Sequence, residues 1–248
     1  MTSLCNIDGD IVAYRCAASC EKRDKEGNLL SCEPIDIALL RTDKLVREIL
    51  DFVKTPQYNI YVSGQGNFRY EVDPEYKANR RGKADPVWRE ACKAFLITEW
   101  KASVTDGYEA DDALGMAQTD DSILASIDKD LLQIPGKHYR WQISGPNWVK
   151  EAELLDITYF EGLKHFYASS LIGDRTDNIT GVVGIGPAKA AKALNHCTTE
   201  QELYEVCKAL YKDDERFHRN LKLLWVWRKE NDIFDPQERQ LSVDPITN

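Results

Sequence analysis

No pair of cysteines in this chain is spaced as CxxC, and the seven cysteines (5, 16, 20, 32, 92, 197 and 207) are odd in number. A disulfide scaffold is therefore not expected; free thiols in a reducing, cytoplasmic setting are. The four histidines, His138, His165, His196 and His218, show no HxxxH or paired Cys/His spacing, which argues against a zinc centre. No apolar run approaches the roughly 18–20 residues that span a bilayer, so no membrane partner is expected. The opening MTSLCNIDGD has neither a basic region nor a long apolar stretch, and does not read as a secretory signal. Repeats and low-complexity tracts are missing. An excess of positive charge is missing too: the net charge is −9, which speaks against a passive nucleic-acid coat, although local basic patches decide binding.

What is present is an ordinary globular composition, 43% hydrophobic and 29% charged over 248 residues, enough for one large domain or two modest ones. The most informative stretch is GYEADDAL, where Glu109, Asp111 and Asp112 crowd three carboxylates into four residues at the start of a helical pattern. The plain reading is a capped, solvated helix, since acids near a helix N-terminus gain from its dipole. The functional reading is a divalent-metal site, because hard cations take carboxylate oxygens and relieve their repulsion. Two further acidic sets favour the second reading. The apolar run Leu4–Ile7 leads into Asp8-Gly9-Asp10 and a helix, and Ser122–Ile127 leads into Asp128-Lys129-Asp130. Acids leaving strand ends sit where open α/β sheets bind ligands. Asp8 or Asp10 capping the following helix is the alternative there.

Between these lie a turn-rich excursion (24–34), an amphipathic helix (36–54), a core strand (58–62) and a basic loop. From Lys77 to Lys93 six basic residues, Arg80, Arg81, Lys83 and Arg89 among them, face two acids, with Phe68, Tyr70 and Tyr76 close by. Cations for phosphate beside rings for bases suggest a single-strand channel; a solvated loop is the alternative. Pro86 is expected to open a helix through Ile97. Residues 138–143 suggest another strand, and a soft boundary falls near 150, beyond which the pattern turns helical. There GVVGIGPAKAAKAL fits a hairpin turn, Gly184-Ile185-Gly186, before a helix starting at Pro187. Its first amides would grip a phosphate, with Lys189 and Lys192 on successive turns. A dinucleotide fingerprint would need glycine at 189 and a preceding strand. Helices are expected over 199–229, with Trp225 and Trp227 as packing residues and an irregular tail after Asp235.

In order along the chain, NIDGDIVAYR, FRYEVDPEYKANR, GYEADDAL, SIDKDLLQI and IGDRTDNITGVVGIGPAKAAKAL resemble the motifs of the 5′-nuclease family: flap endonucleases, bacteriophage 5′-to-3′ exonucleases and the nuclease domain of bacterial DNA polymerase I. The resemblance implies an α/β fold with a mostly parallel central sheet flanked by helices, a PIN-like nuclease core over 1–150. A helical arch would span about 66–103, and a helical DNA-binding subdomain, 151–248, would carry a helix-hairpin-helix at about 179–195. It assigns Asp8, Glu109, Asp111, Asp112, Asp128, Asp130, Asp174 and Asp177 to two Mg²⁺ ions, with Mn²⁺ substituting and K⁺ at the hairpin. Lys77, Arg80, Asp8 and Asp111 would be catalytic. DNA contacts would come from Arg15, Phe68, Arg69, Tyr76, Lys77, Arg80, Arg81, Gly184, Ile185, Gly186, Lys189 and Lys192, Tyr76 stacking on a base. The implied partners are DNA with 5′ ends, flaps or nicks and RNA-DNA hybrids, handled by a monomer in a replication or recombination role, in the host cytoplasm for a phage protein.

One departure stands out. Many relatives carry an aspartate after the second core strand, where this chain reads YVSGQGNFR, with Ser63 or Gly64 in that place. Either the remaining acids suffice, with Asp10 or a water filling in, or metal affinity and rate fall; at the limit the chain is a DNA-structure-binding protein whose nuclease has decayed. A haloacid-dehalogenase-like phosphatase, suggested by Asp8-x-Asp10 and GDRTD, leaves GYEADD and the hairpin without a role.

Overall fold

Residues Cys5 to Asp8 are buried without interruption, the pattern of a strand covered on both faces, and Leu4–Asp8 forms strand β1. In this computed structural model, which describes residues 4–145, 147–236, 241–242 and 244, Asp8 turns the chain directly into α1 (Gly9–Ala18). Its carboxylate accepts the Ile11 N–H at 2.9 Å, so the acid at the strand end is also the helix cap. Gly9 permits the close approach of that turn to the neighbouring strand. A Cβ there would meet Val62 Cγ1 at 2.6 Å and the Tyr61 carbonyl oxygen at 2.7 Å.

The turn-rich excursion is an antiparallel hairpin, β2 (Glu21–Arg23) with β3 (Leu29–Cys32), whose alternation is too short to register as strand in the sequence. Helix α2 (Ile35–Val53) buries Ala38, Thr42, Val46 and Ile49, one face at helical spacing. Strand β4 (Tyr58–Ser63) pairs parallel with β1, setting Ile60 beside Ile7. The stretch expected to form a helical arch holds only a short α3 (Arg69–Val72) and a single 3-10 turn over Ala78–Arg80 before α4 (Arg89–Thr98). Helix α4 buries Cys92 and Leu96 in the core beside α1 and α2, and so is a core helix; it starts at Arg89, three residues after Pro86.

Strand β5 (Ser103–Thr105), α5 (Ala110–Ala117), β6 (Ser122–Ala125) and a 3-10 turn over Asp130–Gln133 follow. Then come β7 (Gly136–Arg140), a small hairpin of β8 (Ile143–Gly145) and β9 (Trp148–Lys150), and β10 (Glu153–Ile157). The single strand expected over 138–143 is thus split between β7 and β8. Strand β10 continues the sheet past the residue 150 boundary. The sheet order is β10-β7-β6-β1-β4-β5, with β7, β6, β1, β4 and β5 parallel. Connections leave β1 toward β4 on one side and meet β6 on the other, so the strand order reverses beside β1, where open sheets form ligand crevices.

The remaining elements are α6 (Tyr159–Ile172), the two-residue strands β11 (Gly173–Asp174) and β12 (Ile179–Thr180), α7 (Pro187–Leu194), α8 (Glu200–Tyr211) and α9 (Asp214–Leu224). The chain divides into two units: Met1–Gly66, Gly82–Asp128 and Gly136–Leu155 in the first, Asn67–Arg81, Lys129–Pro135 and Asp156–Asn248 in the second. The second thus borrows two segments from before residue 150. Its core is aromatic: Phe166 lies 4.8 Å from Trp225 and 5.1 Å from Phe234, ring to ring. Trp225 and Trp227 are buried, as packing residues should be. Pro146 and most of the tail beyond 236 lie outside the described residues. Among the described residues no helix is long and apolar enough to cross a membrane.

Because the atoms facing Gly9 include backbone, Gly9→Ala is expected to destabilise the fold by ~2 kcal/mol or more. Urea denaturation followed by circular dichroism measures it.

Candidate metal and nucleic-acid site

In the first unit the acids converge where β1, β4 and β6 end. Asp8 has no solvent exposure; its second carboxylate oxygen accepts the Ser126 hydroxyl at 2.7 Å. That same hydroxyl oxygen accepts the Asp128 N–H at 3.0 Å, fixing the chain as it leaves β6. Burial pushes the Asp8 carboxyl up to about 7, the charges of Asp10 and Asp128 push the same way, and the Ile11 and Ser126 hydrogen bonds oppose them. On α1, Asp10 Oδ2 accepts the Ser63 N–H at 3.0 Å, and the Lys93 ammonium of α4 stands 3.8 Å from Oδ1. Ser63 Oγ accepts the Ala110 N–H at 2.9 Å, tying the end of β4 to the first turn of α5.

Glu109 is the N-cap of α5, and the buried Asp112 accepts the Glu109 N–H at 3.1 Å. The capped-helix reading therefore holds for Asp112. Asp111, in the same first turn, is half-buried.

The second unit gathers its own charges around the β11–β12 hairpin. Asp174 Oδ1 accepts the Thr176 N–H at 2.6 Å and the Asp177 N–H at 3.2 Å. The Lys129 ammonium lies 3.3 Å from Asp174 and 3.8 Å from Asp130. Burial alone would raise the Asp174 carboxyl, but Lys129 and the two amides together hold it below the usual carboxylate range. Asp177 accepts the Tyr76 hydroxyl at 2.9 Å and an Arg80 guanidinium N–H, with the Lys77 ammonium at 3.7 Å. Arg80 Nε also donates to the Thr176 carbonyl at 3.1 Å, and the Lys77 N–H to that of Asp177 at 3.0 Å. The basic segment is thus docked onto the acidic hairpin.

Three expected DNA contacts are corrected. Arg69 is 2% exposed, with its guanidinium donating to the carbonyls of Leu223 at 2.8 Å and Trp225 at 2.7 Å. Phe68 stacks on Trp227 at 4.9 Å between ring centroids and receives the Arg69 guanidinium on its face. Tyr76 is 3% exposed, so its ring is not open to a base. The resemblance implies all three as DNA contacts, but aromatic and basic side chains close together are a pattern that packing also produces. Arg81 remains at the surface, paired with Glu75 at 3.6 Å, and Arg15 lies half-buried in the last turn of α1. The glycine turn precedes α7 as expected: Gly184 has φ +79°, Gly186 caps the helix and Pro187 opens it. Lys189 donates to the Gly184 carbonyl at 2.8 Å, and Lys192 is exposed. The segment expected to supply the helix before that turn is instead β12, and the preceding helix is α6.

Sequence reasoning missed Ser126, Lys129 and Lys93 as partners of the acids. Lys129 was legible as the one cation between Asp128 and Asp130; Lys93 and Ser126 gave no local signal. As donors, carboxylate oxygens without thiolate or imidazole suit a hard divalent cation. Asp10 Oδ1 is buried with no hydrogen-bond partner, a second point in favour. A finished cage is not built in: among the described residues no three His, Cys, Asp or Glu side chains are drawn together tightly enough to hold an ion. Mg²⁺ does not require one, because it keeps several waters and takes one or two carboxylates.

The upward shift of Asp8 sets the sign of a pH dependence. Its neutral form is favoured in the fold, so in EDTA stability falls as pH rises from about 4 to about 7 and then levels, by on the order of a few kcal/mol. Asp8→Asn is expected to flatten that slope in urea melts across this range. Arg69→Ala leaves two buried carbonyls without their donor and is expected to cost about 2–4 kcal/mol in the same assay.

No family model matches the chain. Among curated proteins it is 32% identical over 152 residues to DNA polymerase I of Caldicellulosiruptor bescii, covering 53% of this chain and 17% of that protein. It is 27% identical over 244 residues to DNA polymerase I of Bacillus caldotenax, 88% of this chain but 26% of the relative, so it spans only about a quarter or less of these polymerases. With the 5′-3′ exonuclease of Buchnera aphidicola it shares 25% identity over 249 residues, covering 96% of this chain and 86% of that one. The fold matches that of the bacteriophage T5 flap endonuclease, solved with DNA and metal ions, at a TM-score of 0.60 and 17% identity, over 90% of this chain and 88% of that one. In sequence along nearly its whole length the chain is similar to a 5′-3′ exonuclease, and in fold to a flap endonuclease.

Proposed function

We propose that the chain is a metal-dependent 5′-to-3′ exonuclease or flap endonuclease that hydrolyses DNA phosphodiesters. The observation that carries the reading is that Asp8, Asp10 and Asp128 share the strand ends beside β1, where burial first, and the charges of Asp10 and Asp128 after it, raise the Asp8 carboxyl to about 7. Repulsion of that kind is what a divalent cation relieves. When bound, two Mg²⁺ ions, replaceable by Mn²⁺, would supply Lewis acidity and an activated water. By the motif resemblance, Asp8, Glu109, Asp111, Asp112, Asp128, Asp130, Asp174 and Asp177 are the metal-binding acids on this reading. Asp8 and Asp112 double as helix caps.

Lys77 and Arg80 orient the scissile phosphate and offset its charge, held in place by Asp177 until the substrate competes for them. The Gly184-Ile185-Gly186 turn with Lys189 and Lys192 grips duplex backbone, with K⁺ on its carbonyls. Substrates are DNA 5′ ends, flaps or nicks and RNA-DNA hybrids, cut by a monomer. The replacement of the expected acid by Ser63 favours one other reading, a DNA-structure-binding protein that no longer cuts.

A 5′-labelled flap duplex incubated with Mg²⁺ and with EDTA separates the two. Short labelled products near the junction, formed only with Mg²⁺, are expected. Lys77→Ala should lower the single-turnover rate by ~10²-fold or more, and Asp111→Asn should abolish cutting. Cutting by Asp111→Asn as fast as wild type sinks the nuclease assignment. Binding without cleavage, even with Mn²⁺, selects the impaired reading.

A further inference from the structure

Helix α6 spends one face, with Leu163, Phe166, Tyr167 and Leu171, on the core of the second unit. Its neighbouring face, with Ala168 and Ile172, stays outside that core and looks onto a cavity of about 560 Å³ shared with α7. From α7 come Pro187, Ala191 and Leu194, so the apolar lining is wholly aliphatic, and alanine at 168 and 191 leaves the gap unfilled. Small-molecule sites have this size, about 300–1,000 Å³, and this make-up, apolar walls with a few polar groups.

The charged groups lining the cavity are the ammoniums of Lys129 and Lys164, the Glu161 carboxylate and the His165 ring; Ser169 and Asn195 add uncharged polar groups. Glu161 is committed to capping, one of its oxygens accepting both the N–H and the hydroxyl of Thr158 at 2.8 Å. Lys129 is held by Asp174 at 3.3 Å and Asp130 at 3.8 Å. Lys164 differs. Its ammonium rests over the Phe160 ring at 4.7 Å, which leaves the charge intact, and among the described residues no carboxylate lies within 4 Å of it. The cavity therefore sets one cation that lacks an ion pair beside a hydrocarbon surface.

We propose that this cavity binds a small organic anion with an apolar body, the body against Ile172 and Leu194 and the anionic group on Lys164. A carboxylate or sulfonate on an alkyl or aryl body meets both requirements. A dianion such as a nucleotide phosphate would need a second cation, and Lys129 is already held. The site is separate from the proposed nuclease chemistry and does not depend on it.

The test titrates the full chain, in EDTA, with 8-anilinonaphthalene-1-sulfonate and separately with the uncharged N-phenyl-1-naphthylamine, each followed by fluorescence. The sulfonate should saturate at one per chain and be displaced by decanoate but not by dAMP. Lys164→Gln should weaken sulfonate binding by about 10-fold and leave the uncharged probe unaffected. Ala191→Trp, at an exposed position, should fill the cavity and lose both probes at an unchanged melting temperature. Where Ala191→Trp melts early, the two probes compared on Lys164→Gln decide alone. Sulfonate binding that does not saturate, or that Lys164→Gln leaves unchanged, overturns the proposal. So does displacement by dAMP as effective as by decanoate, which assigns the cavity to phosphate, or saturation at one probe per two chains, which assigns it to a second copy.

Discussion

A carboxylate sealed from water at the end of the central strand is the constraint on which the first unit depends. Asp8 can be there because the turn from β1 into α1 gives it a backbone amide and Ser126 gives it a hydroxyl. Those donors reduce the cost of burial without removing it, and the charges of Asp10 and Asp128 add to it. A site of this kind is unfavourable as a piece of folding and favourable as a receptor for a cation. The strand-order reversal beside β1 is what lets residues from separate segments contribute to it.

Charge is handled differently in the second unit, where acids and cations neutralise one another. Lys129 spans Asp130 and Asp174, and Asp177 collects Tyr76, Lys77 and Arg80. On the proposed reading, phosphate and Asp177 would compete for the same two cations. Such pairs lie partly exposed and are screened by salt, so exchanging a carboxylate for a phosphate carries a small net cost. On the proposed reading, a chain of net charge −9 would hold a nucleic-acid substrate by redirecting local cations.

The misread residues share a physical cause. Arg69 and Phe68 stand in a motif whose composition suits DNA, yet the guanidinium satisfies two backbone carbonyls after α9 and the ring packs on Trp227. A basic residue that must satisfy buried carbonyls looks, in a sequence, like one meant for phosphate. The expected arch failed similarly: α4 has the apolar face of a core helix, and what lies between α3 and α4 has too few apolar residues at helical spacing to form another.

By itself the sequence determined the strand-acid-helix turn at Asp8, the amphipathic α2, the capped acidic α5 and the glycine turn before α7. Each is set by short-range forces, namely hydrophobic periodicity, capping and the backbone freedom of glycine. Only the tertiary structure decided that Ser126 holds Asp8, that Asp177 holds Lys77 and Arg80, and that Asp10 leans on Ser63. Those partners lie 53 to 118 residues apart for three of the contacts, Asp10 with Ser63, Arg80 with Asp177 and Asp8 with Ser126. No local preference encodes them, because they arise when packing of the apolar faces brings distant strand ends and turns to one place.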